Sequence, residues 1–265
     1  MGDITVTTER GGAVEIVSLA RPDRLNALDQ AMARELTAYF RDLSERSEVR
    51  VVLLRGEGRA FCAGVELGEF DWSVDQGVLQ QAWHLQQWAT GLIKAMRACP
   101  QPVIGLAHGA AVGAGFSMLL ACDVRYGTPQ LKMNAAYIKV GLGGCDVGSS
   151  YFLPRLVGAS VAAEYLYTGR FMTAEKAVSC GLVSELVPAE ELTAKGLALA
   201  DEMLANSPMG LRMTKAAFSR NLDASSLEDA MAVEDRQQVM MLMSEDFREA
   251  VDAFQTKRPP EYKDR

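Results

Sequence analysis

Two segments rich in small residues, FCAGVEL at 61–67 and HGAAVGAGFS at 108–117, have the make-up of the two halves of an oxyanion hole. A developing enolate or tetrahedral oxygen is stabilised by two converging main-chain N–H groups in a site that excludes water. Glycine and alanine let the backbone come close to the carbonyl being served. The second segment runs into an apolar stretch at 116–121, which places its amides at the positive end of a helix as well. Donors of this kind suit acyl chemistry. Either segment alone has a plainer explanation, because such runs also occur where a helix packs closely on a strand. The pair, taken with its flanking segments, favours chemistry.

The elements that must hold these loops read as alternating strand and helix through the first two thirds of the chain. Residues 13–19 and the valine-rich run at 49–54 read as strands, the latter entering a loop at Gly56 and Gly58. Between them, residues 29–46 carry Met32, Leu36, Tyr39, Phe40 and Leu43 on one helical face, with Asp29 as a cap. A long helix is expected over 76–96, with Trp88 and its neighbours in the core, ending before Pro100 and Pro102. Residues 103–107 form a strand that leads into the second loop, and 122–126 and 131–133 are further strands. The stretch 141–148, GLGGCDVG, reads as an irregular loop, and helices follow at 161–167 and 174–179, the latter stopped by Gly181. From residue 190 the pattern is helical, broken at Ser207, Pro208 and the turn at 223–226, with Phe247, Val251 and Phe254 on one face.

Length and composition agree with this α/β reading. The chain has 265 residues, enough for one large core and a smaller appendage, with 49% hydrophobic and 23% charged residues. A net charge of -7 without a basic block argues against nucleic acid as a partner. The N-terminal MGDITVTTER lacks the charged and apolar regions of a signal peptide, and no apolar run is long enough for a membrane helix, so a cytoplasmic location is expected. Cys62, Cys99, Cys122, Cys145 and Cys180 are odd in number, with no CxxC pair and only two histidines beside them. Neither disulfides nor a metal site is expected.

RPDRLNAL at 21–28, AFCAGVEL, HGAAVGAGFSMLLACDVRY, FLPRLVG at 152–158 and TGRFMTAEKAVSCGLVSELVP at 168–188 occur in one order along the chain. In that order they resemble the crotonase superfamily of enoyl-CoA hydratases and isomerases. The resemblance implies a crotonase-type spiral of β-β-α turns over residues 1–195 that binds acyl-CoA. It also implies a C-terminal helical oligomerisation region over 196–265, a homotrimer or homohexamer, and no cofactor beyond the coenzyme A of the substrate. Carried over by position, the N–H groups of Val65 and Ala114 form the oxyanion hole, Ala114 standing where many members have glycine. Arg24, Leu25, Asn26, Ala27, Ala63 and Leu67 line the CoA channel, and Lys257 meets the CoA phosphates. For Arg24 and Lys257 an ordinary solvated charge is the alternative.

The chain departs from the family where a typical hydratase has two glutamates, for those positions read Ser117 and Tyr137. A serine hydroxyl is not a base at neutral pH, and an ordinary tyrosine titrates near ~10. Both residues are expected either to position substrate or water, or to serve only as helix and pocket wall. The loop at 141–148 resembles that of dienoyl-CoA isomerases, with one extra residue, and makes Asp146 the candidate proton shuttle, its pKa raised if apolar walls enclose it. A turn aspartate bonded to nearby backbone is the alternative. Glu66, Glu69 and Asp71 follow the first loop, Glu66 being assigned to loop structure, and His84 and His108 are read as structural. Three functions stay open: hydration by an altered acid and base set, double-bond isomerisation by a single aspartate, and CoA binding without chemistry.

Overall fold

The computed structural model describes residues 2–66, 68 and 78–265, apart from the side chain of Val78. Its main sheet has six strands, β1 (Ile4–Glu9), β2 (Val14–Leu19), β3 (Val51–Gly56), β4 (Val103–Ala107), β6 (Val124–Gly127) and β9 (Glu185–Leu186), in that spatial order. Only β1 is antiparallel to its neighbour; the other pairs are parallel. Side chains alternate between two faces, as the period of a strand requires. Val17, Leu19, Val52, Leu54, Val103 and Ala107 enter one apolar cluster, whereas Val14, Ile16, Val51, Leu53, Ile104 and Leu106 enter another. Covering both faces explains why the middle strands β3 and β4 read as apolar runs at 51–54 and 103–107.

A second, smaller sheet holds β5 (Ala110–Val112), β7 (Lys132–Asn134) and β8 (Met172–Thr173). Isolated parallel bridges extend it, Cys62 pairing with Ala111 and Val65 with Leu28. Each turn of the chain thus passes through the main sheet, crosses the second sheet and leaves in a helix. β2 feeds residues 25–28 and α1 (Gln30–Asp42), β3 feeds residues 62–66 and then α2 (Val78–Ala98), and β4 feeds β5 and α3 (Ala114–Ala121). This is the expected spiral of β-β-α turns, and it stacks three crossing segments side by side at one end of the main sheet.

Asp29 caps α1 through its Oδ1, which accepts from Met32 N at 2.8 Å. The expected helix at 76–96 is α2, its first two residues lying outside the described set. Four elements carried no clear sequence signal. β1 is an edge strand with mostly exposed side chains, β8 and β9 have two residues each, and α4 (Ser149–Val157) contains Pro154, which reads as a helix breaker. After α4 come α5 (Ala159–Thr168), α6 (Ala174–Ser179), α7 (Leu192–Leu204), α8 (Pro208–Asn221), α9 (Leu227–Leu242) and α10 (Glu245–Thr256). The division at 195/196 falls inside α7. A Cβ on Gly196 would stand 2.9 Å from the Leu106 side chain, so that helix lies directly on the main sheet.

Candidate active site

The first loop is fixed on both sides by its backbone. Towards β5, Cys62 N donates to Ala110 O at 3.0 Å, and Val112 N donates to Cys62 O at 2.9 Å. Towards residues 25–28, Ala63 N donates to Leu25 O at 3.0 Å, Leu28 N to Gly64 O at 2.7 Å and Glu66 N to Leu28 O at 2.9 Å. In this bridge Leu28 uses both its peptide groups on residues 64 and 66. Val65 therefore turns its own N–H the other way, towards the second loop. Asn26 is fully buried and ties the partner segment down: its Oδ1 accepts from Arg21 N, and its Nδ2 donates to Glu57 O and Ala60 O.

In the second loop, Gly113 N donates to Asn134 O at 3.0 Å, and α3 starts at the next residue. The first amides of a helix have no acceptor within it. Among the described residues, neither Val65 N nor Ala114 N donates to a protein acceptor. The two loops are in contact: a Cβ on Gly64 would stand 2.9 Å from Val112 O and 3.7 Å from Ala114 N, and one on Gly115 would stand 2.4 Å from Cys62 O. Two unengaged amides from successive turns of the spiral thus face one gap, the arrangement that serves an oxyanion.

Beneath that gap, Ser117 and Tyr137 are buried and bonded to each other, Oγ to hydroxyl at 2.5 Å. The Tyr137 hydroxyl donates to Gly113 O at 2.7 Å. Burial pushes the Tyr137 phenol well above its ordinary pKa, the Ser117 contact opposes this, and the nearby Asp146 charge adds to it. A phenol so disposed is no base. Of the two expectations for this pair, positioning of substrate or water and a purely structural place, the fold shows the Tyr137 proton directed at a backbone carbonyl.

Asp146 shares the site, close enough for its charge to act on Tyr137. Its Oδ1 accepts from Gln86 Nε2 at 2.5 Å and from Val147 N at 2.7 Å. The backbone contact is an ordinary turn feature, whereas Gln86 comes from α2, 60 positions away in sequence. Oδ2 has no donor among the described residues. The apolar enclosure expected for Asp146 is not what the fold provides. Asp146 is half-buried, and Gly141, Leu142, Gly143 and Cys145 before it are exposed.

Residues 9–265 match the family model described as Enoyl-CoA hydratase/isomerase. The chain belongs to this family. The Bacillus subtilis protein YngF is 34% identical over 268 residues, covering 99% of each chain. The mitochondrial Delta(3,5)-Delta(2,4)-dienoyl-CoA isomerase of Rattus norvegicus is 31% identical over 253 residues, covering 91% of this chain and 76% of that protein. The crystal structure of an enoyl-CoA hydratase from Bacillus anthracis superposes with a TM-score of 0.92 at 30% identity, covering 99% of this chain and all of that one. The spiral is accordingly the crotonase fold.

Within this family frame the remaining candidates separate. Leu25, Asn26, Ala27 and Ala63 lie together where the first crossing segment meets the second, and Leu25 and Asn26 hold left-handed φ values of 53° and 56°. Arg24 stands exposed at the rim, its guanidinium 3.3 Å from Glu66. Glu66 also pairs with Arg21 at 2.9 Å, and Arg21 reaches Asp29 at 2.9 Å, so Glu66 holds the loop rather than facing the gap. Arg21, an internal hub, and Gln86, which orients Asp146, were not singled out from the sequence; nothing in their spacing marks them. Leu67, Glu69 and Asp71 lie outside the described residues. Lys257 stands exposed as the C-cap of α10, with a left-handed φ of 53°. His108 Nε2 is bonded to Gly58 O at 2.8 Å, and His84 is exposed on α2. Burial pushes the Cys62 thiol up to about 12, which makes it a poor nucleophile despite its place in the first loop. Among the described residues no group of three His, Cys, Asp or Glu side chains could hold a metal, and no helix is long and apolar enough to cross a membrane.

Proposed function

We propose that this protein is an acyl-CoA enzyme that shifts a double bond by moving a proton along the acyl skeleton. The thioester oxygen accepts from Val65 N–H and Ala114 N–H, which stabilise the enolate formed when Asp146 removes a proton from carbon. The same carboxyl then returns a proton to a different carbon, so no atoms or electrons are gained or lost. Arg24, Leu25, Asn26, Ala27, Ala63 and Lys257 are assigned to CoA, whose binding supplies orientation. The observation that carries this reading is the pair of amides and the Asp146 Oδ2, all without a hydrogen-bond partner among the described residues. A rat relative named as a dienoyl-CoA isomerase supports it.

Hydration by two carboxylates finds no counterpart in the Ser117–Tyr137 pair. A protein that only binds CoA would leave the two amides without a role. A cavity of about 610 Å³ lies one helical turn beyond Gln86 and Ser117, at Thr90 on α2 and Leu120 on α3; Ile93, Val147 and Phe152 form its apolar side, which we assign to the acyl chain, and Lys94, Arg97, Asp123, Arg125 and Arg155 also line it. We also propose a homotrimer or homohexamer in the cytoplasm, built through residues 196–265. The exposed apolar side chains of Leu227, Met231, Val239 and Met240 on α9 support that assembly.

Replacing Asp146 by asparagine is expected to lower turnover ~10³-fold, the scale of a lost general base. Affinity for a saturated acyl-CoA, measured by calorimetry, is expected to stay the same. Unchanged turnover would remove Asp146 from the mechanism. In deuterated water, deuterium incorporation and a moved double bond mark the isomerase, addition of water marks a hydratase, and no change with enoyl- or dienoyl-CoA marks a binder.

A further inference from the structure

We infer that Tyr137, backed by Ser117, is a positioning residue for the oxyanion hole and acts through the carbonyl of Gly113. The inference rests on the reading of Ala114 N–H as an oxyanion donor. Gly113 C=O and Ala114 N–H belong to one peptide unit, which is planar and trans, so the two groups point in opposite directions and cannot turn separately. Whatever fixes the oxygen aims the N–H.

Two donors fix that oxygen. Ser117 N reaches it at 3.0 Å as the first intrahelical bond of α3, and the Tyr137 hydroxyl reaches it at 2.7 Å. Tyr137 has one hydroxyl proton and uses it on Gly113 O, so the 2.5 Å contact with Ser117 Oγ must have serine as donor. The result is a chain running from Ser117 Oγ–H to the Tyr137 oxygen, from Tyr137 O–H to Gly113 O, and through the peptide to Ala114 N–H. Each bond in such a chain polarises the next, so the Ala114 amide becomes a stronger donor as well as a better aimed one.

The local backbone needs this support. Gly113 has φ 54° and ψ -120°, a region without side-chain restraint, and the position of its absent Cβ is 3.6 Å from Tyr137 Cε1. The ring therefore packs beside the one peptide whose rotation would turn the donor away. Tyr137 is carried there by β7, which pairs with β5 at Asn134 and Val112 and ends two residues before the turn 136–140, whose buried residue is Tyr137. Burial also keeps the phenol protonated, so its donor role persists across the neutral range. Ser117 and Tyr137 stand where a typical hydratase has its two glutamates, and here they serve the oxygen of the substrate rather than its carbons.

The test is isotope-edited infrared spectroscopy of the thioester carbonyl of a bound enoyl-CoA, with kcat and KM measured on the same proteins. In the natural protein the carbonyl band shifts to lower frequency on binding. In Tyr137→Phe, which keeps the ring, part of that shift is lost and kcat falls ~10-fold, less than removal of a whole donor, with KM within about twofold. Ser117→Ala, a smaller change at the same chain, gives a smaller loss of the same kind and carries the test if Tyr137→Phe does not fold. A folded variant with the full band shift and full kcat would overturn the inference. No shift in the natural protein would overturn the oxyanion hole itself and this inference with it, an outcome distinguishable from the first because the natural protein alone reveals it.

Discussion

Two glycine-bearing loops meet at the site and are built on opposite principles. In the loop around Gly109 and Gly115, glycine is there because backbone must touch backbone: a Cβ would stand 2.1 Å from Arg59 O at the first position and 2.4 Å from Cys62 O at the second. In the loop at 141–148, Gly141 and Gly143 have no described neighbour within 4 Å of the position a Cβ would take; its start is held by a backbone bond from Leu142 N to Tyr137 O at 3.1 Å, and close packing begins where Gly144 abuts Leu166 and Gly148 abuts Phe152. The half proposed to hold charge is locked into the sheet. The half proposed to move a proton hangs from a few contacts: Gln86, the turn at Asp146 and the start of α4. An oxyanion hole gains from rigidity, since its donors must be aimed before the charge develops. A carboxylate that takes a proton at one carbon and returns it at another gains from reach.

That contrast can be broken by changing one glycine in each loop. Gly115→Val forces a side chain against the carbonyl of Cys62, where backbone cannot give way, and is expected to cost about 3 kcal/mol or more of stability. Because the two loops are driven apart, turnover should also fall ~10²-fold or more, as when one oxyanion donor is lost. Denaturant unfolding and steady-state kinetics on the same preparation check both. The loss in Asp146→Asn should be confined to turnover, and that in Tyr137→Phe should be smaller and visible in the carbonyl band. Gly143→Ala is the smallest change: its φ is ordinary and its surroundings open, so stability should move by less than about 0.5 kcal/mol. A large destabilisation by Gly143→Ala would show that the outer loop is packed against something and would erase the contrast.

The sequence revealed the parts of this molecule whose physics is local. Strands covered on both faces read as apolar runs, α1 showed its face and its Asp29 cap, and the contact between the two glycine loops was legible because close backbone approach requires small side chains. β1 and α4 were not legible, since an edge strand has no apolar face to display and Pro154 masks a helical pattern. The site was legible in its parts and not in its wiring. Ser117, Tyr137 and Asp146 could each be named as candidates from position. That Tyr137 faces Gly113 O, or that Gln86 holds Asp146 from 60 residues away, depends on how the turns of the spiral stack, which no spacing encodes.

The most direct test of the central claim is a crystal structure of the complex with an unreactive acyl-CoA analogue. The thioester oxygen is predicted to lie about 2.7–3.1 Å from both Val65 N and Ala114 N, the range for an oxyanion and its donors. An oxygen directed away from either nitrogen, with those amides bonded within the protein, would contradict the account.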